Sequence, residues 1–148
     1  MNIHNILHKL VVASVIFVGF GIALGWPQYK KHQNIVRAHE ALDLGREIAY
    51  QESVYFAKTG KYITDFSKLD LSVKCETQEV DGHVEMDCPA YTYWLDDGVV
   101  RVENRHLPEW FELDVQQGTV SCSYEEDSWA GAHICDRMDL SSWTNLIR

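Results

Sequence analysis

The first 26 residues of the chain contain no acidic side chain and only one basic side chain, Lys9. The run from Leu10 to Trp26 contains one polar side chain, Ser14, and three glycines. Such a segment lacks the charges of a water-exposed helix. At about 1.5 Å per residue it spans a bilayer only if flanking residues contribute. The composition therefore predicts a membrane-embedded helix near the N-terminus.

Motifs of common enzyme classes are also missing. The chain has no glycine-rich phosphate loop, no HExxH and no GxSxG. It contains no internal repeat and no low-complexity segment. No constellation of residues supports catalysis, so we expect a protein that is not an enzyme and that carries no cofactor.

Acidic residues outnumber basic residues in the rest of the chain. From Pro27 onward there are 12 basic and 22 acidic residues, which together with Lys9 give a net charge of −9. An acidic surface repels phosphate backbones. This balance argues against a nucleic-acid partner.

The four cysteines include no CxxC pair and no closely spaced pair. A thioredoxin-like redox site and a zinc site are therefore not indicated. An even cysteine number behind an apolar N-terminal segment favours disulfides in an oxidising compartment. Of three connectivities we favour Cys75–Cys88 and Cys122–Cys135, because each closes one local loop. Buried free thiols are the alternative.

A cleaved secretory signal is the alternative to a membrane anchor. Its basic region would be His8-Lys9, and Ala23-Leu24-Gly25 would be the small-x-small cleavage site. Proline directly after the first mature residue, Trp26, counts against efficient cleavage. Flanking charge does not fix the orientation of an uncleaved segment, since Lys30 and Lys31 follow it. The expected disulfides place the C-terminal part away from the cytosol.

Helical spacing of apolar residues continues beyond Pro27 and ends near Lys58 and Gly60. We therefore divide the chain into an N-terminal helix (1–29), an amphipathic continuation (30–60) and a C-terminal domain (61–148). The apolar residues with this spacing form one stripe along the helix, on which Gly45 also lies. They are Ile35, Ala38, Ala41, Leu42, Ile48, Ala49, Tyr55 and Phe56.

Alternating residues in the C-terminal domain predict about four antiparallel strands. The four segments are 91–95, 99–103, 109–115 and 119–124, with turns at Asp96-Asp97-Gly98 and Gln116-Gln117-Gly118. We expect residues 62–73 to be irregular, anchored by Leu69 and Leu71. One long helix followed by strands indicates an α+β fold in which the sheet packs on the helix.

The order of several short motifs resembles the type IV pilin and type II secretion pseudopilin family over nearly the whole chain. The resemblance implies a structural subunit without catalytic activity. Its partners would be other pilin-like subunits, the inner-membrane assembly machinery and the membrane itself. Gly19 would serve helix packing and Pro27 a bend. The motifs are Val18-Gly19-Phe20, Pro27-Gln28-Tyr29, Arg37-Ala38, the segment 55–62, Trp110-Phe111-Glu112-Leu113 with Gly118 and Cys122, and Ile134-Cys135.

Three positions depart from the family pattern. Family precursors have Gly before the peptidase cut and usually Phe after it, where alignment places Asn5 and Ile6. Leu10 stands where the family has a glutamate that pairs with a neighbour's N-terminal amine. A carboxylate in an apolar bundle is costly unless it is paired. The absence of this glutamate implies an atypical, minor subunit. Such a subunit would be a single-pass inner-membrane protein with its C-terminal domain in the periplasm or in an extracellular filament.

A few polar and aromatic clusters are further candidates for metal sites or contact surfaces. The histidines at 32 and 39 share one helix face, where a solvated surface competes with a metal site. Acidic loops at 96–97 and 125–127 lack the alternating spacing of a calcium loop, although some pseudopilins bind calcium in C-terminal loops. Trp129 and Trp143 fit either a contact surface or the core. Folding could also bring together His83, His106 and His133.

Overall fold

The chain comprises two units, Met1–Asn34 and Ile35–Arg148, called here the N-terminal and C-terminal units. A computed structural model describes residues 3–140 of the chain. Helix α1 covers Ile3–Thr59, and helix α2 covers Trp129–Cys135. Six strands lie between them: β1 (Glu76–Val80), β2 (His83–Asp87), β3 (Tyr91–Asp96), β4 (Val99–Asn104), β5 (Glu109–Asp114) and β6 (Thr119–Tyr124).

Helix α1 ends where its sequence predicts. Gly60 adopts a left-handed backbone (φ 68°), and its N–H donates to the Phe56 carbonyl at 2.8 Å. Lys58 lies in the last turn, where a cation complements the helix dipole. The glycine cap and the basic last turn thus terminate the helix at Thr59.

The middle of the predicted apolar stripe of α1, from Ala38 to Ala49, forms the face that packs on the sheet, whereas Phe56 at the end of the stripe is 36% exposed. Ala38, Leu42 and Ile48 are at most 1% exposed. Gly45 lies close to the sheet, because a Cβ at this position would lie 2.8 Å from Val102 Cγ2. Since a side chain there would force the sheet away, glycine fixes the distance between helix and sheet.

The six strands form one antiparallel sheet in sequential order, β1 to β6. The expectation of about four strands was wrong, because β1 and β2 were missed. β1 is exposed at its first four residues and so lacks the alternating apolar signal of a half-buried strand. Its hairpin with β2 turns at Asp81 (φ 50°) and Gly82 (φ 88°).

Strands β3 to β6 follow the predicted segments closely. Their inward residues are the core of the C-terminal unit, with Tyr93, Val102 and Phe111 in register on adjacent strands. Asp97 and Gly98 have positive φ angles of 40° and 91°, as a tight hairpin turn requires. The Asp-Gly signal predicted from the sequence is therefore confirmed.

The connections at the two ends of the sheet contain two short helical segments. Residues 62–73 are largely irregular, as expected, but include a 3-10 turn at Phe66–Lys68 in which Phe66 is buried. The segment after β6 contains α2, which begins where Ser128 Oγ accepts a hydrogen bond from the Gly131 N–H. α2 packs against β5 and β6.

Candidate functional site: the apolar segment and the polar groups of the C-terminal unit

The N-terminal unit exposes apolar side chains on every side of its helix. Phe17 is 82% exposed, and the described side chains between Leu10 and Trp26 are all exposed. A helix that packs on a core would show one buried stripe, as α1 does later in its own sequence. Within the described residues, α1 alone is long and apolar enough to cross a membrane. The geometry suits a helix surrounded by lipid or by other apolar helices.

Polar groups of this segment are satisfied locally or lie at its ends. Ser14 Oγ donates to the Val11 carbonyl at 2.8 Å, so the polar side chain within the run needs no outside partner. The Lys30 ammonium lies 5.7 Å from the centroid of the Trp26 ring. Aromatic and basic side chains of this kind are typical of the boundary between lipid and water.

Gly19 and Pro27, assigned from the resemblance to packing and bending, lie in the exposed part of α1. A Cβ at Gly19 would meet no atom within 4 Å, so this surface is open to a neighbouring helix. α1 continues through Pro27. Because proline has no N–H, the Ala23 carbonyl loses its usual helical donor there. The roles of both residues stay predictions.

The residues that depart from the family pattern all lie near the start of α1. Asn5 and Ile6 belong to its first turns. Leu10 is 63% exposed and adds to the apolar surface. An apolar residue at this position creates no buried charge, and so requires no ionic partner in a bundle.

Both disulfides connect the favoured neighbouring cysteines and secure the two edges of the sheet. Cys75 precedes β1 and is bonded to Cys88, which follows β2, so this bridge closes the base of the first hairpin. Cys122 in β6 is bonded to Cys135 at the end of α2. No cysteine remains free. The alternative of buried thiols is therefore wrong.

Glu109 is a buried carboxylate that organises the loop between β4 and β5. Its Oε1 accepts hydrogen bonds from Tyr91 Oη at 2.9 Å and from Asn104 Nδ2. Asn104 Oδ1 in turn accepts from the backbone N–H groups of His106 and Leu107. Burial raises the pKa of Glu109, and the bonds from Tyr91 and Asn104 oppose part of that rise. The network holds the loop in one conformation.

Glu52 is the second fully buried carboxylate, on the face of α1 that packs against the sheet. Neither oxygen accepts a well-formed hydrogen bond from a described residue. Burial raises its pKa to about 7; interaction with the Ile63 backbone opposes the shift, and the charge of Asp97 adds to it. Near neutrality this carboxyl group is therefore poised between its charged and neutral forms.

Both buried acids escaped the sequence analysis, although the pattern contains a signal for each. Glu109 has the same strand parity as Phe111 and Leu113. Glu52 lies three and four residues after Ala49 and Ile48 on the apolar stripe. An acid at a core position is the feature that could have identified them.

The other candidate residues are dispersed. Among the described residues, no group of three or more metal-ligating side chains comes together. His83 contacts Glu85 Oε1 at 3.2 Å, whereas His133 stacks on Trp129. Trp129 is 63% exposed, and Trp143 lies outside the described residues. The remaining candidates are all exposed: His32, His39, His106, the acids at 96–97 and those at 125–127.

Comparison of the chain with models of protein families, with curated proteins and with solved structures finds no match.

Proposed function

We propose that the protein is a minor, pilin-like structural subunit of a type IV pilus or type II secretion apparatus. It assembles through the apolar segment Leu10–Trp26, which is exposed on every side. That exposure is the observation that carries the proposal, because so much apolar surface requires lipid or other apolar helices around it. The protein acts by assembly and not by catalysis.

The C-terminal unit supports the same proposal by its construction. An amphipathic helix on an antiparallel sheet with disulfides at both sheet edges suits a domain that works in an oxidising compartment. We place it in the periplasm or in an extracellular filament. The apolar segment waits in the inner membrane as a single span, and its partners are other pilin-like subunits and the assembly machinery.

Leu10 makes the subunit a minor one in this proposal. With leucine in place of the family's glutamate, the segment cannot form the ion pair with a neighbour's N-terminal amine. Its packing then depends on shape, for which the open position Gly19 is suited. Asn5 and Ile6 leave no standard processing site, so we expect the native chain to keep Met1.

The direct test is the mass and N-terminal sequence of the native protein in membrane and soluble fractions. A start at Met1 in the membrane fraction is the expected result, and a methylated start at Ile6 would also support a pilin-like subunit. A start at Trp26 in the soluble fraction would overturn the proposal. It would identify a secreted, disulfide-stabilised binding module instead.

Assembly itself is tested by co-purification from membranes that contain the native apparatus. Gly19→Leu should reduce recovery of partner subunits severalfold, because the added side chain keeps neighbouring helices apart. The matched control is Gly60→Asn, a change of similar size at the helix cap that asparagine tolerates. Equal recovery of partners with both variants would contradict assembly through this helix face.

A further inference from the structure

The sheet has an outer face, opposite α1, that carries an aromatic and cationic cluster. Trp94, Arg101 and Trp110 lie on the adjacent strands β3, β4 and β5. Trp94 pairs directly with Arg101, and Trp110 pairs with Glu103. Large side chains on this side of the sheet contribute nothing to the core between sheet and helix.

The cluster is stacked and only partly exposed. The Arg101 guanidinium lies 5.7 Å from the Trp94 ring centroid and 5.2 Å from that of Trp110. The His83 ring lies 5.0 Å from Trp94 on the other neighbouring strand. The two cation–ring contacts of Arg101 are weakly attractive at exposed sites and favour this arrangement of the three side chains.

Two carboxylates flank the cluster and keep unused hydrogen-bonding capacity. Glu103 Oε2 lies 3.9 Å from Arg101 Nε, and Glu112 Oε1 lies 4.0 Å from Arg101 Nη1. These distances are too long for hydrogen bonds. Both glutamate side chains are more than two-fifths exposed. One guanidinium facing two carboxylates leaves a negative charge that a second cation can neutralise.

The outward side chains next to Trp110 on the following strand are small. The adjacent strand β6 offers only short side chains at its outward positions, namely Thr119, Ser121 and Ser123. The side of Trp110 that faces away from Arg101 therefore has no large neighbour on that strand. A planar guanidinium can stack there while its N–H groups reach a carboxylate.

The charge of the whole outer face indicates the kind of partner. The strand pairings put seven carboxylates at its outward positions, against the basic side chains of Arg101 and His83, the second of which contacts the buried Glu85 at 3.2 Å. Such a face repels anionic surfaces and attracts cationic ones. The acids are Glu76, Glu85, Asp87, Asp96, Glu103, Glu112 and Asp114.

We propose that this outer face docks a basic, arginine-bearing segment of a partner protein. Tryptophan and arginine are the residue types that dominate the energetics of interfaces. Here Trp110 supplies the stacking surface, and Glu103 and Glu112 accept hydrogen bonds from the incoming guanidinium groups. The inference is independent of how the apolar segment assembles.

A labelled hexa-arginine peptide is a suitable probe, titrated into the full chain in non-ionic detergent at about 0.15 M salt and followed by fluorescence anisotropy. The variant Glu103→Gln/Glu112→Gln should weaken binding at least tenfold. The control Glu125→Gln/Glu126→Gln removes the same charge from two exposed acids beyond β6 and should change binding less than threefold. Equal weakening in both variants would reduce the effect to net charge and overturn the proposal, as would unchanged binding in both.

A second pair of variants tests the stacking surface. Trp110→Leu should weaken peptide binding severalfold, whereas Trp129→Leu, at an exposed tryptophan of α2, should not. The reverse order would overturn the proposal. A second copy of this chain is the competing occupant. If sedimentation shows that the chain self-associates, and Glu103→Gln/Glu112→Gln alone abolishes this, a foreign basic partner is excluded.

Discussion

The two units of the chain differ in where their apolar side chains lie: they are exposed in the N-terminal unit and largely buried in the C-terminal unit. The N-terminal unit has three lysines, no acid and exposed apolar side chains, while the C-terminal unit holds ten of the 13 basic and all 22 acidic residues, a net charge of −12. The C-terminal unit buries its apolar residues internally and presents acids to solvent. The C-terminal unit is thus stabilised by its own core, whereas the described apolar side chains of the N-terminal unit between Leu10 and Trp26 are exposed.

The largest expected effect comes from giving the apolar segment the charge it lacks. Phe17→Arg/Phe20→Arg should disfavour membrane insertion by about 6 kcal/mol, since each arginine costs about 3 kcal/mol at a helix centre. The measurement is the fraction of protein retained in membranes after alkaline extraction. Phe17→Leu/Phe20→Leu is the control and should behave as wild type. Full retention of the arginine variant would show that the segment does not lie in lipid.

The second prediction concerns the stability of the C-terminal unit. Cys122→Ala/Cys135→Ala should lower the free energy of unfolding of the C-terminal unit by about 3 kcal/mol, because the bridge closes a loop of 13 residues. Chemical denaturation of the full chain in detergent, followed by near-ultraviolet circular dichroism, measures this loss. Membrane retention should not change.

The first disulfide provides the matched comparison for this experiment. Cys75→Ala/Cys88→Ala opens a loop with the same separation of 13 residues, so a similar loss is expected. A change below about 1 kcal/mol for both pairs would contradict the importance of the bridges for the edges of the sheet.

How far the sequence predicts the structure also differs between the two units. The apolar run and the glycine cap of α1 are encoded locally, as are the hairpin turn at Asp97-Gly98 and the alternation in β3 to β6. β1 escaped prediction because an exposed edge strand needs no apolar residues; its pairing with β2 determines it. α2 is similarly short, and its contacts with β5 and β6 determine it.

The candidate sites were less predictable than the fold, for a physical reason. The cluster of Trp94, Arg101 and Trp110 depends on the register of three strands, and register is set by the whole sheet and its turns. The contact of Gly45 with Val102 likewise depends on how helix and sheet pack. By contrast, the neighbouring cysteines paired as favoured because each pair closes a short loop.

The third prediction concerns the pH dependence of the C-terminal unit. The pKa of Glu52 is about 7 in the folded chain and about 4.5 when exposed. The folded state therefore holds the proton more tightly, and stability falls as the pH rises from 4.5 to 7, by an amount on the order of 2 kcal/mol. The slope contributed by this group halves at pH 7 and disappears about one pH unit above it. Denaturation midpoints at several pH values measure the loss.

Glu52→Gln removes the titrating group while keeping its shape. We expect this variant to lose the slope between pH 4.5 and 7 and to exceed the wild type in stability at pH 8. Glu47→Gln, at a partly buried position five residues earlier on α1 whose carboxylate accepts hydrogen bonds from Ser72, is the control and should keep the slope. A slope that persists in Glu52→Gln would assign the titration to another group.

The smallest expected effect comes from a single hydroxyl in the C-terminal unit. Tyr91→Phe removes the hydrogen bond from Tyr91 Oη to Glu109 Oε1 and should cost about 1 kcal/mol of unfolding free energy. Tyr124→Phe, at a tyrosine that is 41% exposed on β6, should cost little. Because Asn104 still binds Glu109, the loop between β4 and β5 should keep its conformation, as measured by amide hydrogen exchange of His106 and Leu107. A cost equal to that of Tyr124→Phe would mean that Glu109 depends on Asn104 alone.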